Sequence, residues 1–67
     1  MTSDEANAIA WEKASADAEY VRLKRAWTFY VGKALSAAEI THASTLYRLA
    51  SARHWKVWDA TMEGLGA

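Results

Sequence analysis

The sequence predicts an all-α fold, a helical hairpin in which two long antiparallel helices are joined by a short turn. Proline is absent from the 67 residues, so no residue of that kind interrupts helix propagation. Two capping-box patterns mark helix starts, and Gly32 marks a helix end near the middle of the chain. Apolar residues recur at spacings of three and four, which is typical of amphipathic helices.

The first helix is predicted over about residues 3 to 31. Thr2 and Glu5 fit a capping box, in which the Thr2 hydroxyl accepts the Glu5 amide and the Glu5 side chain reaches back to the Thr2 amide. Gly32 is expected to end this helix, because glycine enters the left-handed conformation without steric cost.

The turn is predicted over residues 32 to 36 and the second helix over about 37 to 63, within one domain of residues 1 to 67. Ser36 and Glu39 repeat the capping box, and Gly64 is expected to end the second helix. A single bent helix or three shorter helices are the alternatives.

Each predicted helix carries a seam of residues spaced three or four apart. The seam of the first helix comprises Ala6, Ile9, Lys13, Ala16, Tyr20, Leu23, Trp27 and Tyr30. The seam of the second helix comprises Ile40, Ala43, Tyr47, Ala50, His54, Val57 and Thr61. Folding back at the turn brings Trp27 near Ala43, so that a large residue faces a small one.

The apolar surface exceeds what one helix pair can bury. The stretch from Ala26 to Val31 is apolar nearly all round the helix, and the chain holds four tryptophans but no cysteine. A chain of this size buries only about 60% of its unfolded surface, and no disulfide can reinforce it. We therefore expect two hairpins to pair into a four-helix bundle, or one hairpin to dock in a larger assembly.

The predicted function is non-catalytic, that of an assembly or adaptor protein that acts through aromatic helix faces, as Trp and Tyr are enriched at binding hot spots. The expected interface with a partner comprises Trp11, Phe29, Trp55, Trp58, Met62 and Leu65. The expected core of self-association comprises Tyr20, Leu23, Trp27, Tyr30, Tyr47 and Val57. The expected partner is a second copy, a larger protein, or both. The alternative use of these aromatics is the core of a small helical protein.

Two further function classes stay open. The formal net charge is zero, but acidic residues gather near both termini and basic residues in the middle. A nucleic-acid-binding accessory protein is therefore an alternative. Its possible phosphate contacts are Arg22, Lys24, Arg25, Lys33, Arg48 and Arg53. Peripheral binding to a membrane surface is a second alternative, because aromatic residues lie beside these basic residues.

Catalytic, metal and cofactor sites are not predicted. Glu39 and His42 have the Glu-x-x-His spacing of di-iron sites, but the hairpin places no companion carboxylate opposite them. His54 lies on the apolar seam, where a hydrogen-bonded core histidine is more usual than a base, and it could make pairing sensitive to pH. Ser15 and the other serines have no convincing base and acid companions.

The N-terminal residues Met1 to Glu5 are acidic and polar, unlike a secretory signal peptide. No stretch approaches the roughly 18 apolar residues of a membrane-spanning helix. The sequence therefore predicts a cytoplasmic protein.

Overall fold

The structure is a computed structural model that describes residues 1 to 66. Every regular element in these residues is an α-helix. The helices are α1 (Ser3–Ala16), α2 (Ala18–Thr28) and α3 (Ala37–Gly64). The all-α prediction is confirmed. The prediction of one uninterrupted helix over residues 3 to 31 is wrong, because two helices occupy that stretch.

The break lies at Asp17, whose backbone leaves the helical region with φ −57° and ψ 128°. Its carboxylate accepts the Tyr20 amide at 2.9 Å and so caps the start of α2. Asp side chains compete with backbone carbonyls for amide hydrogens, which is why they favour helix starts over helix interiors. The Asp17 side chain thus supplies the local part of the cause of the break.

The helical stretch before the turn also ends earlier than predicted, because α2 stops at Thr28 instead of residue 31. The Tyr30 amide donates to the Trp27 carbonyl and the Val31 amide to the Thr28 carbonyl, each at 3.1 Å. These bonds span three residues instead of four, which tightens the chain as it leaves the helix. Gly32 then adopts φ 77°, the left-handed conformation predicted for it.

The helix caps agree with the sequence in part. Ser36 and Glu39 form the predicted capping box at the start of α3. At the start of α1, the Thr2 hydroxyl accepts the Glu5 amide as predicted, but the Glu5 carboxylate accepts the Thr2 hydroxyl instead of the Thr2 amide. Gly64 is the last residue of α3, so the helix ends there as predicted, but Gly64 does not take the left-handed conformation seen at Gly32. Helical bonding continues through it, and Gly66 takes the left-handed conformation with φ 72°.

The third helix runs back alongside the first two. Asn7, early in α1, is hydrogen-bonded to Trp58, late in α3, at 2.9 Å. Tyr30, just after α2, packs on His42, early in α3, with ring centroids 5.9 Å apart. The result is a rod of 47 by 17 by 16 Å. Within residues 1 to 66, no helix is both long and apolar enough to cross a membrane.

The buried core is narrow and made mostly of alanine. Its members within the described chain are Ala6, Ala10, Ala14, Leu23, Ala50 and His54. Of the α1 part of the predicted seam, Ala6 is buried as predicted, but Ile9, Lys13 and Ala16 are exposed. The α1 alanines repeat every four residues and form a smooth ridge on which α3 can pack closely, and that packing turns the larger side chains outward.

Candidate functional site

A stripe of large apolar and small polar side chains runs the length of α3, beside the buried seam. It comprises Ile40, Ser44, Tyr47, Ser51, Trp55, Trp58 and Met62, and is called the α3 stripe here. Spacings of four and three place these residues on one side of the helix. Ile40, Tyr47 and Trp55 are 53%, 52% and 51% exposed, so much of this apolar surface stays in contact with water.

The first two helices extend the α3 stripe sideways. The Trp11 ring of α1 lies 6.2 Å from that of Trp55, and the Trp27 ring of α2 lies 5.2 Å from that of Tyr47. Trp55 also packs edge to face on Trp58, with ring centroids 5.6 Å apart. Such tilted and edge-on pairs are the favoured geometries of aromatic side chains. The α3 stripe together with Trp11 and Trp27 is called the aromatic face.

Trp58 is fixed in place by a polar contact. Its indole Nε1 donates a hydrogen bond to Oδ1 of Asn7 at 2.9 Å. The bond satisfies the polar edge of a half-buried ring and fixes its orientation.

His54 lies buried beneath the aromatic face. Its ring centroid is 4.6 Å from that of Trp11 and 4.9 Å from that of Tyr20, and its Nε2 lies 3.4 Å from the hydroxyl oxygen of Ser15. The structure thus gives Ser15 the imidazole neighbour that the sequence did not indicate, across 39 positions of the chain. The nearby carboxylate of Asp17 is bound to Arg53 instead of orienting this histidine, so the acid of a catalytic triad is not supplied by it.

Two of the predicted phosphate-contact residues are engaged with carboxylates. Arg53 donates to both oxygens of Asp17, and Arg22 donates to both oxygens of Glu19. The Arg53 hydrogen bonds, followed by that of the Tyr20 amide, lower the pKa of Asp17 to about 2.

The other predicted phosphate contacts lie on α2, the turn and α3. Lys33 sits over the Phe29 ring at 3.3 Å from its centroid, and Lys24 lies 5.9 Å from the centroid of Tyr20. Arg25 and Arg48 are exposed. Arg48 stands beside the aromatic face, in a groove that it shares with Trp27.

The Glu-x-x-His pair of the sequence does not assemble a metal centre. The Glu39 carboxylate accepts the Ser36 amide at 3.0 Å, and this bond lowers the pKa of Glu39. His42 packs its ring on Tyr30. Over residues 1 to 66, no group of three or more His, Cys, Asp or Glu side chains could hold a metal ion.

The residues predicted for the interface with a partner fall into two groups. Trp11, Trp55, Trp58 and Met62 belong to the aromatic face. Leu65 lines a separate groove between α1 and α3 together with Ile9 and Val57, and Phe29 packs on Tyr30 at 5.4 Å.

The residues predicted for the core of self-association differ in exposure. Leu23 is buried, and Tyr47 is exposed. The half-buried members are Tyr20, Trp27, Tyr30 and Val57. The apolar pattern of the sequence placed Ile40 in the buried seam and assigned Ser44 and Ser51 to no site, because their spacing fits the stripe but their side chains give no apolar signal.

The chain matches no protein-family model, no curated protein and no solved structure. The functional argument therefore starts from the aromatic face and the charges around it.

Proposed function

We propose that this protein is a non-catalytic assembly protein that binds another protein through the aromatic face. The observation that carries the proposal is the contrast between core and surface. Within residues 1 to 66, the buried apolar residues are four alanines and Leu23, whereas Ile40, Tyr47 and Trp55 are each more than half exposed. Burying a large apolar side chain contributes about 1.5 to 3 kcal/mol, and Leu23 is the only such residue in this core. A partner on the aromatic face supplies the burial that the chain lacks.

The composition of the aromatic face also supports an interface. Trp and Tyr dominate it, and these are the residues that give large contact area at low entropic cost. Trp58 is oriented by Asn7, and Trp55 is braced by Trp11 and Trp58. An exposed apolar patch that is contiguous and held rigid is typical of a protein-binding surface.

The arrangement that we propose is a helical hairpin in which α1 and α2 form one arm and α3 the other. Two such hairpins would meet through their aromatic faces as a four-helix bundle. Bundles of this kind bury one apolar side of every helix pair, which suits a chain whose own core is narrow.

A catalytic role has little support in the side chains. The pairing of Ser15 with His54 is long, at 3.4 Å, and the Asp17 carboxylate is committed to Arg53. Binding to nucleic acid or to a membrane surface is also less well supported, because Arg22 and Arg53 are already neutralised by carboxylates. Phosphate binding would have to break those ion pairs or rely on the remaining basic residues.

The experiment is size exclusion with light scattering at low and high salt, on the wild type and on Trp55→Ala and Trp58→Ala. We expect a wild-type assembly larger than the 7.4 kDa chain at both salt concentrations, since apolar contacts are not screened. Each substitution should weaken association by about 2 kcal/mol or more, roughly thirtyfold in Kd.

Phe29→Ala is the matched control, because Phe29 is 63% exposed but packs on Tyr30 outside the aromatic face. It should leave association unchanged. A wild type that stays monomeric at every concentration, or a Phe29→Ala variant as impaired as Trp55→Ala, would contradict assembly through the aromatic face. Circular dichroism of each variant checks that helix content is retained.

A further inference from the structure

We infer that the aromatic face is covered by a second copy of this chain, whose α3 lies antiparallel to the first α3 with Ser51 on the twofold axis. The inference rests on the proposed function and specifies its partner and geometry. Three features of the molecule support it, namely the symmetry of the α3 stripe, the distribution of charge and the size of the face.

The α3 stripe is symmetric in its spacing about Ser51. Ile40 and Met62 each lie eleven residues from Ser51, Ser44 and Trp58 seven, and Tyr47 and Trp55 four. In a twofold interface, a residue that contacts a second residue is itself contacted by that second residue. An axis through Ser51 therefore pairs every residue of the stripe with another residue of the same stripe.

One of the three pairs, Ser44 with Trp58, is complementary in size, whereas Tyr47 with Trp55 and Ile40 with Met62 set large apolar residues together. Antiparallel docking sets the small Ser44 against the large Trp58 of the second copy, and Ser51 against Ser51 at the centre. Small residues at a crossing point let two helices approach closely, and large residues opposite small ones fill the space between them. Parallel docking would instead set Trp58 on Trp58 and Ser44 on Ser44, with overpacking at one level and a void at the other.

Charge selects the same orientation. Acidic residues mark the end of the rod where α1 begins and α3 ends, namely Asp4, Glu5, Asp59 and Glu63. Basic residues outnumber acidic ones in the half near the turn, where Lys24, Arg25, Lys33 and Arg48 stand against Glu39. Antiparallel copies place the acidic end of each rod along the basic half of the other, whereas parallel copies place like charges together. Complementary charge of this kind fixes the register and orientation of an interface more than its strength.

The side of the rod that carries the aromatic face is large enough to hold a standard protein interface. One long side of the rod measures 47 by 17 Å. This is on the order of 800 Å², the contribution of each partner to a standard protein interface.

Disulfide trapping tests the geometry directly, because the chain has no cysteine of its own. The Ser51→Cys variant places a thiol on the proposed axis, beside the same thiol of the second copy. Ser44→Cys places the two thiols fourteen positions apart along α3. That separation is about 21 Å at the rise of an α-helix, far beyond the roughly 7 Å between α-carbons that a disulfide tolerates. Ala52→Cys, one residue from Ser51 but off the stripe, is the matched control.

After mild oxidation, we expect Ser51→Cys to run mainly at twice the 7.4 kDa chain mass on a non-reducing gel, and the other two variants to stay single chains. Disulfides in both Ser51→Cys and Ser44→Cys would show parallel docking and overturn the inference. A dimer by light scattering without a disulfide in Ser51→Cys would place the contact elsewhere and overturn the inference alone. A wild type that is monomeric by light scattering would overturn the proposed self-assembly as well.

Discussion

The guanidinium of Arg53 in α3 donates two hydrogen bonds to the carboxylate of Asp17, from Nε to Oδ2 at 2.8 Å and from Nη2 to Oδ1 at 2.9 Å. The same carboxylate accepts the Tyr20 amide at the start of α2. Asp17 therefore ends α1, begins α2 and ties the junction to α3. Two parallel charge-assisted bonds make this a strong and directional pair.

This pair predicts a dependence of stability on acid. The pKa of Asp17 is about 2 in the folded chain and 3.8 in its ordinary state. Its folded pKa is thus depressed, so the stability it contributes is complete above the ordinary pKa and disappears as the pH falls toward 2. Urea unfolding between pH 7 and pH 2 should show a smaller acid loss in Asp17→Asn than in the wild type.

The Asp17→Asn variant keeps a good helix cap but no longer titrates at this position. Part of the acid loss should remain in it, because Glu19 and Glu39 also have lowered pKa values, through bonds from Arg22 and from the Ser36 amide. Curves of the wild type and Asp17→Asn that stay parallel across the whole range would show that the Arg53 pair contributes no pH-dependent stability.

Leu23 is the only large apolar residue of the buried core within residues 1 to 66, with 6% exposure. We expect Leu23→Ala to lower the free energy of unfolding by about 2 to 5 kcal/mol, since it removes apolar burial and leaves a cavity. Leu49→Ala is the control, because Leu49 is 51% exposed on α3. Equal losses in the two variants by chemical denaturation would mean that Leu23 is not the centre of packing.

At Ala10 we expect a loss of stability from too large a side chain, the reverse of the cavity at Leu23. The side chain of Ala10 on α1 is fully buried. Ala10→Leu should therefore destabilise the fold by about 1 to 3 kcal/mol through overpacking. Ala8→Leu adds the same atoms to the same helix at an exposed position and should change stability little. A stable Ala10→Leu protein with unchanged thermal unfolding would show that α1 can move away from α3 at low cost.

The fold was predictable from the sequence where local contacts decide it. The capping box of Ser36 and Glu39 and the left-handed Gly32 depend on neighbours within three residues or on the backbone alone. The break at Asp17 was not predictable in the same way, because its second partner, Arg53, is 36 positions away. A single Asp within a helical pattern of apolar residues does not by itself predict a helix start. Tertiary contacts must also favour the break.

The choice of packing face in α1 was also beyond the sequence. Ile9 and Ala10 lie on two neighbouring helical stripes, and the larger apolar side chain of Ile9 favours its own stripe. The structure packs the alanine stripe and leaves Ile9 41% exposed. The tryptophans of the aromatic face could be recognised as surplus, but Ser44 and Ser51 could not, since small polar residues give no apolar signal.

Substitution by alanine is expected to have opposite effects on stability at Gly32 and at Gly64. Both have open space where a β-carbon would stand, so only the backbone decides the outcome. Gly32 has φ 77°, and Gly32→Ala should destabilise the fold by about 1 to 2 kcal/mol, because L-residues are strained there. Gly64 is the last helical residue of α3, and Gly64→Ala should stabilise by roughly 0.4 to 1 kcal/mol through lower entropy of the unfolded chain. Thermal unfolding of both variants measures the two signs, and a gain at Gly32 or a loss at Gly64 would show that the helix ends lie elsewhere.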